Sequence, residues 1–229
     1  MCGGSGAATA GIQGREHRLM VLVKVCGITN LDDALAVADA GADALGFNFY
    51  ERSPRYITPE TARTIVDRLR ADYPNLLNVG VFVNESLDAI KKIAAVAGVS
   101  ALQLHGSETP EYCKALKGNH LIKVFSSSDK FAPQTVLDYD VQAIMLDAVD
   151  KEAFGGTGKL SNWAVARATR ELVPKLFLAG GLSSDNVADA IKQVNPFAVD
   201  ACSRLESAPG RKDHAKVRAF VAAVRSASG

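Results

Sequence analysis

From Val21 onward the chain alternates between two kinds of segment. Short runs that are apolar on both faces recur at residues 21–27, 42–49, 77–83, 101–105, 120–125, 143–147, 175–179 and 197–200. Between them lie stretches whose apolar positions repeat with helical spacing, among them 31–40, 59–70, 86–97 and 185–194, and a last one at 213–225. Several of these begin on capping residues, such as Thr58-Pro59 and Ser183-Ser184-Asp185. The fifth helical position, 130–139, is the poorest, because Pro133 interrupts it and little room remains.

Strands buried on both faces and separated by helices form parallel sheets. Eight strand–helix units in about 200 residues predict an α/β chain folded as a single closed (β/α)8 barrel, a TIM barrel at the small end of the range. An open doubly wound sheet is the alternative, but no Gly-x-Gly-x-x-Gly follows the first strand. Residues 1–19, rich in glycine and alanine without a hydrophobic period, are expected to be a flexible tail, with the barrel domain spanning 20–229. Met20 stands directly before the first strand.

The strand ends then carry the chemistry. In order they offer Cys26, Asn48 with the loop to Arg55, Asn84, His105, Ser126, Asp147, Gly180-Gly181, and Asp200 with Cys202 and Ser203. In a barrel these termini converge on one face, where active sites lie. Any one of them is explained by capping or burial; their repetition at one end is not. Two late loops are glycine-rich, Gly155-Gly156-Thr157-Gly158-Lys159 and Gly180-Gly181-Leu182-Ser183. Glycines let backbone N–H groups approach an anion, so these loops predict a phosphate site. The first is not a Walker A loop, since Ala153 stands at its leading glycine and Leu160 follows the lysine.

Composition narrows the chemistry. With 229 residues, 48% hydrophobic, 22% charged and a net charge of +1, the chain offers no electrostatic footprint for nucleic acid. No apolar run approaches membrane-spanning length, and residues 19–23 are too short for a signal-peptide core. The four cysteines form no CxxC pair and no disulfide framework, which predicts a cytoplasmic, reducing setting. Of four histidines only His105 is well placed, so no metal site is expected.

Taken together, Lys24-Val25-Cys26-Gly27-Ile28-Thr29, Ser53-Pro54-Arg55-Tyr56-Ile57, Leu102-Gln103-Leu104-His105-Gly106, Leu146-Asp147, Gly155–Lys159, Gly180-Gly181-Leu182 and Ala198-Val199-Asp200 resemble the phosphoribosylanthranilate isomerase family of tryptophan biosynthesis. The resemblance spans the whole domain from Val21. It implies a cofactor-free Amadori rearrangement of a small phosphosugar, N-(5-phosphoribosyl)anthranilate, by a monomer or homodimer. It assigns Cys26 as general base and Asp147 as general acid. Arg55 would meet the anthranilate carboxylate, His105 would support, and Asp200 would orient the substrate. Phosphate would be held by Gly156, Gly158, Gly180, Gly181, Ser203 and Arg204.

Two departures stand out. After Asp200 the family usually reads Val-Ser-Ser-Gly-Val-Glu, whereas this chain reads Ala201-Cys202-Ser203-Arg204-Leu205-Glu206. Arg204 therefore replaces a glycine, to bind phosphate directly or to turn toward Glu206. Asn48 stands where an aliphatic residue is usual. A histidine-pathway isomerase, the main rival, would carry an aspartate in place of Cys26; a non-catalytic sugar-binding barrel would lack Cys26 or Asp147.

Overall fold

A computed structural model describes residues 20–148 and 161–228. Eight parallel strands close on themselves in chain order: β1 (Leu22–Cys26), β2 (Ala44–Asn48), β3 (Leu77–Phe82), β4 (Ala101–Leu104), β5 (His120–Ser126), β6 (Ala143–Asp147), β7 (Leu176–Leu178) and β8 (Ala198–Ala201). The last pairs with the first, Lys24 opposite Asp200 and Val25 opposite Ala201. The expected (β/α)8 barrel is the observed architecture. The expected tail, residues 1–19, lies outside the described residues.

The helices are α1 (Leu31–Asp39), α2 (Pro59–Asp72), α3 (Leu87–Ala97), α4 (Pro110–Ala115), α5 (Trp163–Arg170), α6 (Val187–Val194) and α7 (His214–Ser228). Local chemistry starts and stops them. Asn30, Thr58, Ser86 and Thr109 each accept a backbone N–H of the first turn of α1 to α4, satisfying a donor that has no partner inside the helix. Gly98 ends α3 in the left-handed region at φ +70°.

Two expectations are corrected, and one element was not expected. The fifth helical position is a 3-10 turn, Pro133–Asp138, because proline supplies no N–H to an α ladder. Helix α6 starts at Val187 instead of Asp185: the Asn186 side chain accepts from Ser183 N–H at 2.9 Å and donates to Gly181 O at 3.0 Å, closing the loop before the helix begins. A small hairpin, β9 (Glu206–Ala208) and β10 (Arg211–Lys212), follows a 3-10 turn at Ser203–Leu205. Strands of two or three residues are too short to leave a period in the sequence.

Alternation along each strand builds two apolar layers. Outward residues such as Val23, Val25, Leu45, Phe47, Leu146 and Val199 pack under the helices. Inward ones, Ala44, Val79, Ala101, Ile122, Val124, Ala143, Met145, Phe177 and Ala198, fill the barrel. Lys24 and Cys26 lie on the inward row of β1, above Leu22, and Asp200 on that of β8. The inner core thus changes from apolar to polar toward the C-terminal ends of the strands.

Candidate active site

Cys26 ends β1 and is partly exposed at the barrel mouth. The Cys202 thiol hydrogen-bonds to it and holds its pKa well below the usual thiol value. Burial works against this, while the charges of Lys24, Lys212 and His105 assist. The Cys202 thiol moves the opposite way, raised by its bond to Cys26 and by burial. The pair therefore shares a proton unequally, with the negative charge on Cys26.

Beneath the thiol, Lys24 Nζ lies 2.9 Å from Asp200 Oδ1, and the lysine is fully buried. Burial disfavours its charge, yet the anions of Asp200 and Cys26 raise its pKa above that of a free lysine. Burial pushes Asp200 up to about 7, with Cys26 and Asp147 adding to the rise and Lys24 opposing it. One cation thus serves two competing acids. Gly46 leaves the room for this, since a Cβ there would lie 2.7 Å from Cys26 Sγ and 3.1 Å from Lys24 Nζ.

Asp147 ends β6, where its Oδ1 accepts the Ala148 N–H at 2.7 Å. His105 Nε2 approaches its Oδ2 at 3.4 Å, and His105 Nδ1 lies 3.0 Å from Gln103 Nε2. With the Gln103 amide donating, Nδ1 is the acceptor and the ring proton sits on Nε2, facing Asp147. The structure therefore brings Cys26, His105, Asp147 and Asp200 to one end of the barrel.

Arg55 is held more firmly than the sequence suggests. Its Nε and Nη2 grip both oxygens of Glu206 at 2.8 and 2.7 Å, a paired fork that raises the pKa of the guanidinium. Glu206 also takes Lys212 Nζ at 3.0 Å, across the β9–β10 hairpin. These partners, the Arg55 bond foremost, outweigh burial and lower the carboxyl pKa of Glu206. Asn48 shapes the loop that carries the arginine. Its amide donates to Ser53 Oγ at 3.1 Å, and that oxygen accepts the Arg55 N–H at 3.2 Å. Sequence reasoning missed Lys24, Gln103 and Lys212, and gave Glu206 only to Arg204. Lys24, a charge amid apolar strand residues, was the one legible signal.

The late loops build a pocket of about 390 Å3 lined by Ser183, Ser184, Asp185, Ser203, Arg204, Leu205 and Lys216. Gly180 and Gly181, just before it, have φ of +93° and +64°. At Gly180 no other residue fits, because a Cβ would overlap Ser161 Oγ and Ala148 N. Ser203 and Arg204 are thus gathered beside the Gly180-Gly181 loop, together with Lys216, which the sequence did not single out. Gly156 and Gly158 lie outside the described residues. Among the described residues no cluster of three or more His, Cys, Asp or Glu is placed to hold a metal ion, and no helix is long and apolar enough to cross a membrane.

Known proteins resemble this chain in sequence and in fold. Residues 23–223 match the family model for N-(5'-phosphoribosyl)anthranilate isomerase. A curated relative of that name from Syntrophus aciditrophicus is 48% identical over 211 residues, covering 92% of this chain and 90% of its own. The crystal structure of phosphoribosyl anthranilate isomerase from Thermotoga maritima superposes with a TM-score of 0.83 at 41% identity, covering 90% of this chain and all of the other. A further isomerase structure, in complex with reduced 1-(o-carboxyphenylamino)-1-deoxyribulose 5-phosphate, gives a TM-score of 0.80 at 40% identity over 90% of this chain and 100% of its own. The chain belongs to the N-(5'-phosphoribosyl)anthranilate isomerase family.

Proposed function

We propose that the barrel mouth converts N-(5-phosphoribosyl)anthranilate to 1-(2-carboxyphenylamino)-1-deoxyribulose 5-phosphate, a step of tryptophan biosynthesis, with Cys26 as base and Asp147 as acid. The observation that carries the reading is that β1 and β6 end on Cys26 and Asp147 at the same end of a closed barrel, in a chain of this family. The reaction needs two proton transfers. Asp147 protonates the furanose ring oxygen, and the ring opens to a Schiff base. The Cys26 thiolate takes the C2 proton to give an enolamine, which tautomerises to the ketone. Each transfer contributes roughly 10²- to 10⁴-fold.

The remaining residues bind and orient. Arg55 meets the anthranilate carboxylate with the side of its fork not closed on Glu206. Asp200, tied to Lys24, faces the sugar hydroxyls, and His105 holds Asp147 in place. Phosphate lies between the Gly180-Gly181 loop and Ser203-Arg204. Lys216 and Arg204 supply positive charge there against the carboxylate of Asp185. No metal or cofactor enters these steps. A monomer or homodimer acting in the cytoplasm on a small phosphosugar goes with this reading, since a reducing compartment keeps a thiol base reduced.

The test is decay of anthranilate-adduct fluorescence with freshly made substrate. Wild type should turn over without added metal, and Cys26→Ala and Asp147→Asn should each lose about 10²-fold or more in kcat. Tight binding without turnover by wild type would defeat the enzymatic reading. Full activity in either variant would remove that residue from the mechanism.

A further inference from the structure

Cys26 ends β1 and Cys202 is the first residue past β8, the two strands that close the barrel. β1 and β8 run in register with Lys24 opposite Asp200 and Val25 opposite Ala201, and Cys26 and Cys202 are the residues that follow this last pair on each side. Neighbouring strands lie about 4.8 Å apart, inside the Cα separation of about 4.4–6.8 Å that a disulfide spans. Lys24 and Asp200, two residues earlier in each segment, bond to each other, and a Cβ on Gly27, the residue after Cys26, would lie 3.0 Å from Cys202 Sγ, which sets that thiol against the end of β1. Each thiol shifts the titration of the other, Cys26 downward and Cys202 upward. Cys202 Sγ also lies 3.9 Å from both Lys212 Nζ and Glu206 Oε1. Both cysteines are partly exposed, whereas Cys113 is buried.

We propose that Cys26 and Cys202 are a peroxide-responsive thiol pair, in which a hydroperoxide oxidises Cys26 and Cys202 closes a reversible disulfide across the barrel seam. The conditions that make Cys26 a base also make it a nucleophile: a partly exposed thiolate beside cationic groups. Its sulfur attacks one peroxide oxygen, the O–O bond breaks, and hydroxide or alkoxide leaves. Cys26 is then a sulfenic acid, its sulfur oxidised by two electrons and the peroxide reduced. Cys202 gives its proton to the departing oxygen and attacks the sulfenic sulfur. The S–O bond breaks, a second water leaves, and the disulfide forms. Two thiols and hydrogen peroxide become a disulfide and two waters. An external dithiol reverses this by exchange. That the disulfide also stops turnover rests on the base role given to Cys26 above.

The experiment treats the full-length enzyme with excess hydrogen peroxide, blocks remaining thiols, and divides the sample. Before blocking, intact mass should fall by two hydrogens, and digestion of the blocked sample should release one cross-linked peptide pair containing Cys26 and Cys202. Activity should fall roughly tenfold or more and return with dithiothreitol. In Cys202→Ser the same exposure should carry Cys26 to the sulfinic acid, so that dithiothreitol restores little of that variant's own starting activity. Absence of the cross-linked peptide, or equal recovery in Cys202→Ser, would overturn the thiol pair. If that variant fails to fold, the wild-type peptide map alone decides. A disulfide formed with full activity would instead overturn the base assignment, and the inhibition with it.

Discussion

Two buried lysines in this barrel have nearly the same burial and opposite surroundings. Lys123 on β5 points outward under α4 and is fully engaged: its ammonium donates to Gly106 O and Glu108 Oε2 at 2.7 Å and to Leu104 O at 3.3 Å. Glu108 in turn accepts the backbone N–H groups of Asn84 and Gly106. Lys24 on β1 points inward and faces two acids, Asp200 and Cys26, that compete for it. The closed network is a brace for the β3 and β4 loops. The under-supplied one displaces proton equilibria, and displaced equilibria are what acid–base chemistry uses.

The sharpest way to break the comparison is Lys123→Met. It removes one partner of a buried pair and leaves Glu108 without its cation and two carbonyls without this donor, so stability should fall by about 3–5 kcal/mol in urea titration, while turnover per folded molecule stays. Lys24→Met should reverse the pattern. Asp200 can take up a proton near neutrality, so less stability is lost, but the thiol loses a cation. Activity at pH 7 should drop about tenfold for each unit by which the thiol pKa rises, and the acidic pH–rate limb, where the thiolate is protonated, should move up with it. An unmoved limb would make Lys24 structural.

A third prediction concerns pH. The Asp200 carboxyl titrates near 3.8 when unfolded and at about 7 when folded, so across that interval the folded state binds more protons. Its contribution is present below the unfolded value and is lost as pH rises through the folded one. The melting temperature of wild type minus that of Asp200→Asn should therefore decrease from about pH 4 to 7 and level off above it. The smallest effect belongs to Lys117, whose 3.4 Å pair with Asp140 is exposed. Lys117→Met should change stability by less than about 1 kcal/mol, which separates the cost of an ion pair from the cost of burying one.

Much of the fold was legible because burial on both faces leaves an unbroken apolar run. Strand β6 was legible to the residue, and the others to within one or two at either end. What was missed has physical causes. The β9–β10 hairpin has no measurable period, and Asn186 delays α6 by bonding to its own loop. Cys26, Asp147 and Asp200 were found because strand ends converge in a barrel. Arg55 was found, but not Glu206 as its partner: they are 151 residues apart and meet only through the hairpin. Lys24 was visible as a charge in an apolar strand, yet nothing local says which acids it faces.

By itself, then, the sequence determined the alternation of elements, the closed barrel and the residues delivered to its mouth, since these follow from local periodicity and strand-end position. Only the tertiary structure decided which side chains share a proton. That depends on the register by which β8 meets β1, which sets Lys24 beside Asp200, and on the turn after β8, which brings Cys202 close to Cys26. It depends also on burial, which weakens solvent screening enough for those neighbours to move each other's charge.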